Sequence, residues 1–242
     1  MRPNNRLANQ LRPLTFELGF TRTAAGSVLV RSGATTVLCT CSVEPAVPPF
    51  LVGTGKGWLT AEYAMLPGST QSRKARDKGG KIDGRSVEIQ RLIGRSLRAV
   101  TDLTKLGERT LWLDCDVLEA DGGTRTAAIN GAFVALCLAL HKHAPAIGLA
   151  SAVVTDSVAA ISVGLVDGEE RLDLEYVEDR DAEVDMNLVM TGSGRFIEVQ
   201  GAGEEATFTT EQLLRLIELG KAGIAEVTRS QASALGAAWP LR

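Results

Sequence analysis

The feature that most limits the possible folds is segment 127–143, which reads AAINGAFVALCLALHKH. Its composition is typical of a helix, and its apolar residues lie on nearly every side of that helix instead of forming one stripe. A helix that is apolar all round is buried inside a protein. The sequence therefore predicts a central buried helix that is closed by Pro145.

The sequence before the central helix is typical of strands combined with a long helix. Two runs rich in β-branched residues lie within 27–43 on either side of Ser32-Gly33, which predicts a β-hairpin. Alternating apolar residues in 110–117 predict a half-buried strand. Between these strands, apolar residues at helical spacing predict a helix from about Arg85 to Leu106.

The sequence after the central helix repeats this order. Segment 152–175 contains strand-like runs, and Thr209 with Gln212 forms a capping-box pattern at the start of a helix that runs towards Leu235. Each half therefore consists of strands followed by a helix. The repetition predicts an α+β fold in one domain, 1–242, with two pseudo-repeated halves of about 1–145 and 146–242.

The 242-residue chain has a composition typical of globular proteins, with 45% hydrophobic and 23% charged residues. It contains no apolar run of about 18 residues, and its start, MRPNNRLANQLRP, lacks the apolar core of a signal peptide, so we expect a cytoplasmic protein. The two histidines, His141 and His143, face different sides of a helix, which argues against a multi-histidine metal site. The four cysteines lack zinc-ligand spacing and are predicted to be buried reduced thiols: Cys39, Cys41, Cys115 and Cys137.

Basic residues are concentrated in one segment of a chain whose net charge is −3. Nine basic and three acidic side chains lie between Ser69 and Arg98. Concentrated positive charge favours an anionic ligand at this place, although a run of charges can also be a solvated surface. The overlapping segment 65–84 is polar and glycine-rich, and a loop of this length is commonly functional.

Three arginines form a stripe on the helix that begins near Arg85. Arg91, Arg95 and Arg98 recur at helical spacing, and Glu88 can pair with them. This stripe is interpreted as a salt-bridged surface or a contact between subunits. Arg85, at the helix entrance, is the better candidate for binding a ligand.

A glycine turn joins the strand of 110–117 to the central helix. Gly122 and Gly123 have no Cβ, so the backbone can approach a ligand closely, and the first N–H groups of a helix attract anions. Thr124 can add a hydroxyl donor and Arg125 a guanidinium group. The alternative is a tight turn that only caps the helix.

A second glycine-containing segment, VGTGKGW at 52–58, resembles a phosphate-binding loop only superficially. Phe50 occupies the position of the first glycine, and Gly57 stands where a serine or threonine would hold magnesium. We therefore reject a phosphate-binding loop here. The segment is interpreted as the connection of a hairpin.

Five carboxylates lie within residues 178–185, directly after a predicted strand. Packing them together without a cation would be unfavourable, and magnesium is bound by one or two carboxylates together with water. The segment is therefore either a magnesium site or an acidic loop in solvent. The five are Glu178, Asp179, Asp181, Glu183 and Asp185.

Six segments together resemble the ribonuclease PH family of phosphate-dependent 3′ exoribonucleases, which trim transfer-RNA precursors. They read MRPNNRLANQLRP, GWLTAEYAMLPGST, GRSVEIQRLIGRSLRAV, LDCDVLEADGGTRTAAINGA, DLEYVEDRDAEVDMNLVMT and IEVQG. The resemblance covers almost the whole chain, and the segments are long and are spaced as in the family. One difference is Gly68, where the family often has an arginine.

The resemblance implies a phosphate site, a metal site and an RNA-binding loop. The attacking phosphate, which is the co-substrate, would be bound by Arg85, Gly123, Thr124 and Arg125. Asp179 and Asp185 would be the catalytic residues that hold magnesium. In the basic loop, Arg73 and Arg76 would bind RNA.

The resemblance also implies the reaction and the assembly. Inorganic phosphate would cleave the last phosphodiester of an RNA and release a nucleoside diphosphate, and the protein would be a homohexamer built as a trimer of dimers. The family fold is a duplicated unit of β-sheet and helix, which agrees with the two halves. Two alternatives are a non-catalytic RNA-binding subunit of a related ring, and a hydrolytic nuclease that uses water at a two-metal site.

Overall fold

The computed structural model describes residues 2, 5–76, 83–147, 150–203 and 206–241. In these ranges the chain forms two β-sheets and a set of helices, so the predicted α+β class is confirmed. The strands are β1 (Leu14–Leu18), β2 (Gly26–Ser32), β3 (Thr35–Glu44), β4 (Trp58–Met65), β5 (Thr110–Glu119), β6 (Val158–Val166), β7 (Glu169–Leu172), β8 (Val184–Thr191) and β9 (Phe196–Gly203). The α-helices are α1 (Gly84–Arg98), α2 (Leu103–Leu106), α3 (Thr124–Lys142), α4 (Ala144–Ile147), α5 (Ala150–Val153), α6 (Tyr176–Arg180) and α7 (Thr210–Leu235).

The first sheet has the strand order β1-β2-β3-β5-β4. Strands β2 and β3 form the predicted hairpin, with Gly33 at a φ of 58° in its turn. Strand β5 pairs antiparallel with β3 and parallel with β4. The interpretation of 52–58 as a hairpin connection is therefore wrong, because β5 occupies the position between the two strands that this segment joins.

Helix α3 is the predicted central helix, and it packs between the two sheets against β2, β3 and β6. Most of its side chains are buried, including Phe133 and Leu136. The buried amide of Asn130 donates through Nδ2 to the Ala160 carbonyl oxygen at 2.9 Å and accepts from Ala160 N through Oδ1 at 2.8 Å. These bonds fasten α3 to β6, because a buried amide without partners would be unfavourable.

The helix predicted from about Arg85 to Leu106 is divided into α1 and α2, so this prediction is wrong in part. Between the two helices, Thr101 forms an isolated antiparallel bridge with Val154. This contact with a distant segment turns the backbone out of the helical path. The Asp102 carboxylate then caps α2 by accepting from Thr104 N at 2.9 Å.

The second sheet has the order β7-β6-β8-β9, and its pairs are antiparallel. Helix α7 packs on β6, β7 and β8. Its predicted start is confirmed, since Thr209 Oγ1 accepts from Gln212 N at 3.2 Å and Gln212 Oε1 accepts from Thr209 N at 2.8 Å. These reciprocal bonds satisfy N–H groups that the start of a helix leaves unpaired.

The four cysteines are buried and free, as predicted. Burial raises the pKa of the Cys41 and Cys137 thiols, which makes thiolate chemistry unfavourable there. A separate observation concerns the helices: within the described ranges, none has the length and apolar character needed to cross a membrane.

Candidate active site

The Gly122-Gly123 turn has a backbone that favours glycine. The two φ angles are 73° and 64°, in the left-handed region that L side chains rarely adopt. Gly123 is the N-cap residue of α3. A Cβ at Gly122 would lie 2.7 Å from the Leu174 carbonyl oxygen, so the turn packs directly against the backbone that leads into α6. The turn that starts the central helix and the acidic segment therefore lie next to each other.

Two buried side chains hold this turn in place. Thr35 Oγ1 accepts from Asp121 N at 2.9 Å and donates to the Gly122 carbonyl oxygen at 2.6 Å. Arg12 Nη1 donates to the Asp121 carbonyl oxygen at 2.5 Å. Because the turn is held from two sides, the first N–H groups of α3 have a defined direction, as an anion-binding helix start requires.

Thr124, one of the residues expected to bind phosphate, bonds to a buried phenol. Tyr63 Oη donates to Thr124 Oγ1 at 2.8 Å. Burial raises the pKa of Tyr63, while the bond to Thr124 and the positive charges of Arg85 and Arg125 act in the opposite direction. Both guanidinium groups are therefore near enough to influence the charge of the phenol. The charges of Arg85 in α1 and Arg125 in α3 thus both act on the phenol that bonds to Thr124.

Sequence reasoning did not identify Tyr63. The residue is 3% exposed and lies in β4, where the alternating pattern of the strand is typical of a core position. Its neighbour across the parallel pair is Cys115 in β5, the strand that leads to the glycine turn. The placement of Tyr63 thus depends on β4 lying beside β5, and no local pattern in the sequence indicates it.

Arg125 is held by two polar side chains from different parts of the chain. Its Nη1 donates to Gln200 Oε1 at 2.6 Å and lies 3.4 Å from Glu88 Oε1. Gln200 Nε2 donates to the same Glu88 oxygen at 3.1 Å. Glu88 therefore pairs with Arg125 and not with the arginine stripe of α1, which corrects the pairing predicted from helical spacing. Gln200 of β9 completes this contact, because it bonds to both Arg125 and Glu88.

The arginine stripe of α1 has mainly structural contacts. Arg95 pairs with Glu198 of β9. The guanidinium carbon of Arg98 lies 5.4 Å from the centre of the Trp58 ring, and Arg98 Nη1 donates to the Leu59 carbonyl oxygen at 3.0 Å. These two arginines fasten α1 to the first and second sheets. The ion pair of Arg95 agrees with the interpretation of the stripe as a salt-bridged surface, and the alternative of a subunit contact stays a prediction.

The basic loop starts beside the glycine turn. Ala120 N, directly after β5, donates to the Ser69 carbonyl oxygen at 2.8 Å. Arg73 and Arg76 are exposed, and Lys74 Nζ lies 2.8 Å from Asp83 Oδ2 at the start of α1. The described part of the loop therefore begins beside the glycine turn, and its Lys74 contacts the entrance of α1. The part of the predicted loop at 77–82 lies outside the described residues.

The five carboxylates of residues 178–185 are not packed against one another around one site. Glu178 is buried and pairs with Arg2, whose Nε lies 2.7 Å from Glu178 Oε1. Asp181 pairs with Arg180 in solvent, and Glu183 Oε1 accepts from Gly168 N at 2.9 Å. The premise that all five pack together and require a cation is therefore wrong, because Glu178, Asp181 and Glu183 each lie against a different partner. Asp179 in α6 and Asp185 in β8 are half-buried.

The N-terminal segment forms a buried network of charges beneath α6. Glu178 accepts from Arg2, from Arg6 at 3.2 Å and from Arg171 at 3.4 Å. Its pKa is shifted upward by burial, but the hydrogen bond and positive charge of Arg2, with the charge of Arg6, outweigh this and hold it below the usual value. Sequence reasoning missed this network, because the partners are far apart along the chain.

Arg12 connects this network to the glycine turn. Its Nη2 lies 2.7 Å from Asp173 Oδ1, and its backbone N donates to Asp173 Oδ2 at 2.8 Å, while Nη1 reaches the Asp121 carbonyl oxygen. Asp173 itself has a φ of 55°, an unusual backbone conformation for a residue other than glycine. One N-terminal arginine therefore touches both the start of α3 and the segment that precedes α6.

Two parts of the chain match models of known protein families. Residues 10–141 match the 3′ exoribonuclease family, domain 1, and residues 156–223 match the 3′ exoribonuclease family, domain 2. The chain belongs to the ribonuclease PH family. The ribonuclease PH of Rhodopirellula baltica is 58% identical over 94% of this chain and 94% of the relative. The ribonuclease PH of Bacillus subtilis is 56% identical over 99% of each chain.

Solved structures show the ribonuclease PH fold for this chain, as the sequence resemblance predicted. Rice Rrp46 superimposes with a TM-score of 0.78 at 22% identity, over 97% of this chain and 100% of that chain. The Archaeoglobus fulgidus exosome with RNA bound to the active site superimposes with a TM-score of 0.77 at 17% identity, over 94% of this chain and 91% of that chain. At these identities the likeness concerns the fold alone.

The magnesium that the ribonuclease PH family implies can be tested against the donor atoms present. In the described ranges there is no group of three or more histidine, cysteine, aspartate or glutamate side chains placed to hold a metal ion. Magnesium commonly keeps several waters and uses only one or two carboxylates together with substrate phosphates. Asp179 and Asp185 are both half-buried and offer carboxylate oxygens, the type of donor that such a site uses.

Proposed function

We propose that this chain removes nucleotides from the 3′ ends of transfer-RNA precursors and other structured RNA by phosphorolysis, as a tRNA nucleotidyltransferase. Its membership of the ribonuclease PH family supports this activity. The observation that carries the phosphorolytic assignment is the fixed glycine turn at the start of α3, whose first two residues are Thr124 and Arg125. A hydrolytic nuclease would have no need of such an anion site.

The proposed reaction joins two groups that repel each other. An oxygen of inorganic phosphate attacks the phosphorus of the last phosphodiester, and the bond to the 3′ oxygen of the penultimate nucleotide breaks. That oxygen takes up a proton and leaves as a hydroxyl group, while the last nucleotide leaves as a diphosphate. The main requirements are alignment and neutralisation of charge, which Arg85, Arg125 and the first N–H groups of α3 can supply.

Asp179 and Asp185 are the residues that we propose to hold magnesium. When bound, magnesium would neutralise negative charge on phosphate oxygens. The approach of the glycine turn to the backbone before α6 supports a common site for the phosphate and these carboxylates, since Tyr176 N of α6 lies 3.4 Å from Asp121 Oδ1. Glu178 pairs with Arg2, Asp181 pairs with Arg180 and Glu183 accepts from Gly168 N, and the family resemblance assigns none of these three to the site.

RNA binding is assigned to the exposed arginines of the basic loop, Arg73 and Arg76. We also propose that the protein acts in the cytoplasm as a homohexamer, a trimer of dimers, as the family resemblance implies. Exposed apolar side chains on the edge strand β9 support a contact between copies: Phe196 and Val199 are each 46% exposed. An isolated chain would leave this apolar surface in water.

The phosphorolytic assignment is tested by incubating the protein with a transfer-RNA precursor in the presence and absence of inorganic phosphate. We expect nucleoside diphosphates to be released only when phosphate is added. Nucleoside monophosphates formed equally fast in phosphate-free buffer would indicate a hydrolytic nuclease and contradict the proposal. RNA binding without release of any nucleotide would indicate a non-catalytic subunit.

The double substitution Arg73→Ala with Arg76→Ala is expected to weaken binding of a transfer-RNA precursor and to flatten its salt dependence. Each lost phosphate contact should reduce the slope of log affinity against log salt by about 0.7 to 0.9. Binding is measured at several salt concentrations. Arg215→Ala with Arg229→Ala, which removes two exposed arginines from α7, is the matched control with the same loss of charge. Equal slopes in both double variants would show that the loop does not contact RNA.

A further inference from the structure

Tyr63 is a buried phenol whose hydroxyl group reaches the proposed phosphate site. The side chain lies in β4 with 3% of its surface exposed, and its Oη donates to Thr124 Oγ1 at 2.8 Å. Thr124 is the first residue of α3 and is itself 6% exposed. This hydrogen bond between two buried hydroxyl groups determines how their protons are oriented at the start of the helix that we propose to bind an anion.

The direction of this bond determines what Thr124 can do next. A hydroxyl group has one proton to donate and can also accept. Because Thr124 Oγ1 accepts from Tyr63, the proton of Thr124 is available for another acceptor. The positive charges that act on the phenol are the guanidinium groups of Arg85 and Arg125, and guanidinium groups only donate. The acceptor that suits this set of donors is an anion.

We propose that Tyr63 is a positioning residue that directs the Thr124 hydroxyl group to donate to an oxygen of the attacking phosphate. This inference rests on the proposed phosphorolytic function and deepens it. Without the phenol, the Thr124 hydroxyl could turn to donate elsewhere, and phosphate would lose an oriented donor. Two linked hydroxyl groups also polarise each other, which strengthens the hydrogen bond that Thr124 donates to the phosphate oxygen.

The phenol is suited to keep this direction. Burial raises the pKa of Tyr63 above the usual value despite the nearby positive charges, so the hydroxyl group keeps its proton at neutral pH. Strand β4 is the edge of the first sheet and is held there by parallel pairing with β5, in which Tyr63 is opposite Cys115. The phenol is therefore fixed relative to the strand that ends at the glycine turn.

The test is a double-mutant cycle with Tyr63→Phe and Thr124→Val in the full chain. We expect Tyr63→Phe to raise the KM for phosphate about three- to tenfold, as for loss of one hydrogen bond, with kcat at saturating phosphate little changed. Thr124→Val should raise the KM at least as much. If Tyr63 acts through Thr124, adding Tyr63→Phe to Thr124→Val will produce no further increase, because the bond is already absent.

A second readout requires no turnover. Inorganic phosphate should raise the midpoint of thermal unfolding of the wild-type protein, and this increase should be smaller for Tyr63→Phe. The increase for Thr124→Val should be the same as the increase for the double variant. The same measurement without phosphate shows whether each variant is folded at the assay temperature. Thr23→Val, which removes an exposed hydroxyl group from the segment between β1 and β2, is the matched control and should leave the KM for phosphate unchanged.

The outcomes separate this inference from the proposed function. An unchanged KM for phosphate in folded Tyr63→Phe, or an equal further increase on the Thr124→Val background, would overturn the positioning role while phosphorolysis by the wild-type protein still stood. Release of monophosphates by the wild-type protein without phosphate would overturn the proposed function itself. The inference is supported if Tyr63→Phe raises the KM for phosphate in the wild-type background but not in the Thr124→Val background.

Discussion

Asp185→Asn will lower the rate of phosphorolysis by at least about 100-fold, the effect of removing a single group that stabilises developing charge. Asparagine keeps the shape of the side chain but removes the negative charge that holds a hard cation such as magnesium. The affinity for RNA and the fold should be nearly unchanged, because the proposed role of Asp185 lies in the reaction and not in binding. The rate is measured at saturating RNA and phosphate with low magnesium, and Asp179→Asn should behave in the same way.

Two neighbouring carboxylates provide matched controls for this prediction. Asp181→Asn removes a charge that is paired with Arg180 in solvent, and Glu183→Gln alters a side chain that accepts from Gly168 N. Both changes remove one negative charge from the same segment, so both should leave the rate near that of the wild-type protein. Near-normal rates for Asp185→Asn, or equal losses in all of these variants, would contradict the assignment of Asp185.

Glu178→Gln will reduce the free energy of unfolding by about 3 to 5 kcal/mol, the usual effect of breaking a buried ion pair by removing one partner. The Glu178 side chain is 2% exposed, and its loss of charge leaves the buried guanidinium groups of Arg2 and Arg6 without this partner. The change is measured by urea unfolding. Asp181→Asn, which alters an exposed pair in the same segment, is the control and should have little effect.

The shifted pKa of Glu178 also predicts how the free energy of unfolding depends on pH. The pKa of Glu178 is lower in the folded protein than its usual value, so its stabilising contribution is fully present above the usual pKa of glutamate. That contribution is lost as the pH falls through the lower pKa of the folded state. The free energy of unfolding of the wild-type protein should therefore decrease over this acidic range more steeply than that of Glu178→Gln. Parallel pH dependence of the two proteins would contradict the role of Glu178 in the network.

The structure changes which acidic residues can serve as controls when the activity of the Asp179 and Asp185 variants is measured. Judged from the sequence, Glu178 is one of five similar carboxylates, and any of them that flanks the site could act as a mild control. In the fold, Glu178 is buried among arginines from the start of the chain and from β7. A loss of activity in Glu178→Gln would therefore report unfolding or displacement of α6. Asp181 and Glu183 are the controls that isolate the charge of the metal site.

Local patterns predicted those elements whose stability depends on nearby residues. The capping box of Thr209 and Gln212 satisfies N–H groups within one turn, so it marked the start of α7 correctly. The apolar character of α3 indicated a buried helix because a helix of that composition has no polar face for water. The positive φ angles of Gly122 and Gly123 agree with a turn that favours glycine.

Patterns of one segment did not predict how the segments are arranged. The placement of β5 between β3 and β4 overturned the hairpin interpretation of 52–58, because strand order depends on pairing between residues far apart in the chain. The division of the helix after Arg98 has the same cause, since Thr101 pairs with Val154. In both cases a distant partner outweighed the local preference.

By itself, the sequence determined the α+β class, the buried central helix, the glycine turn and, through its resemblance to a family, the reaction to be expected. These follow from periodicity, backbone conformation and ordered motifs, which are properties of contiguous residues. Only the tertiary structure decided that Tyr63 bonds to Thr124, that Glu88 pairs with Arg125, and that Glu178 belongs to a buried ion network. Side-chain partners of this kind are chosen by proximity in space, and burial then makes each unpaired charge or hydroxyl group unfavourable.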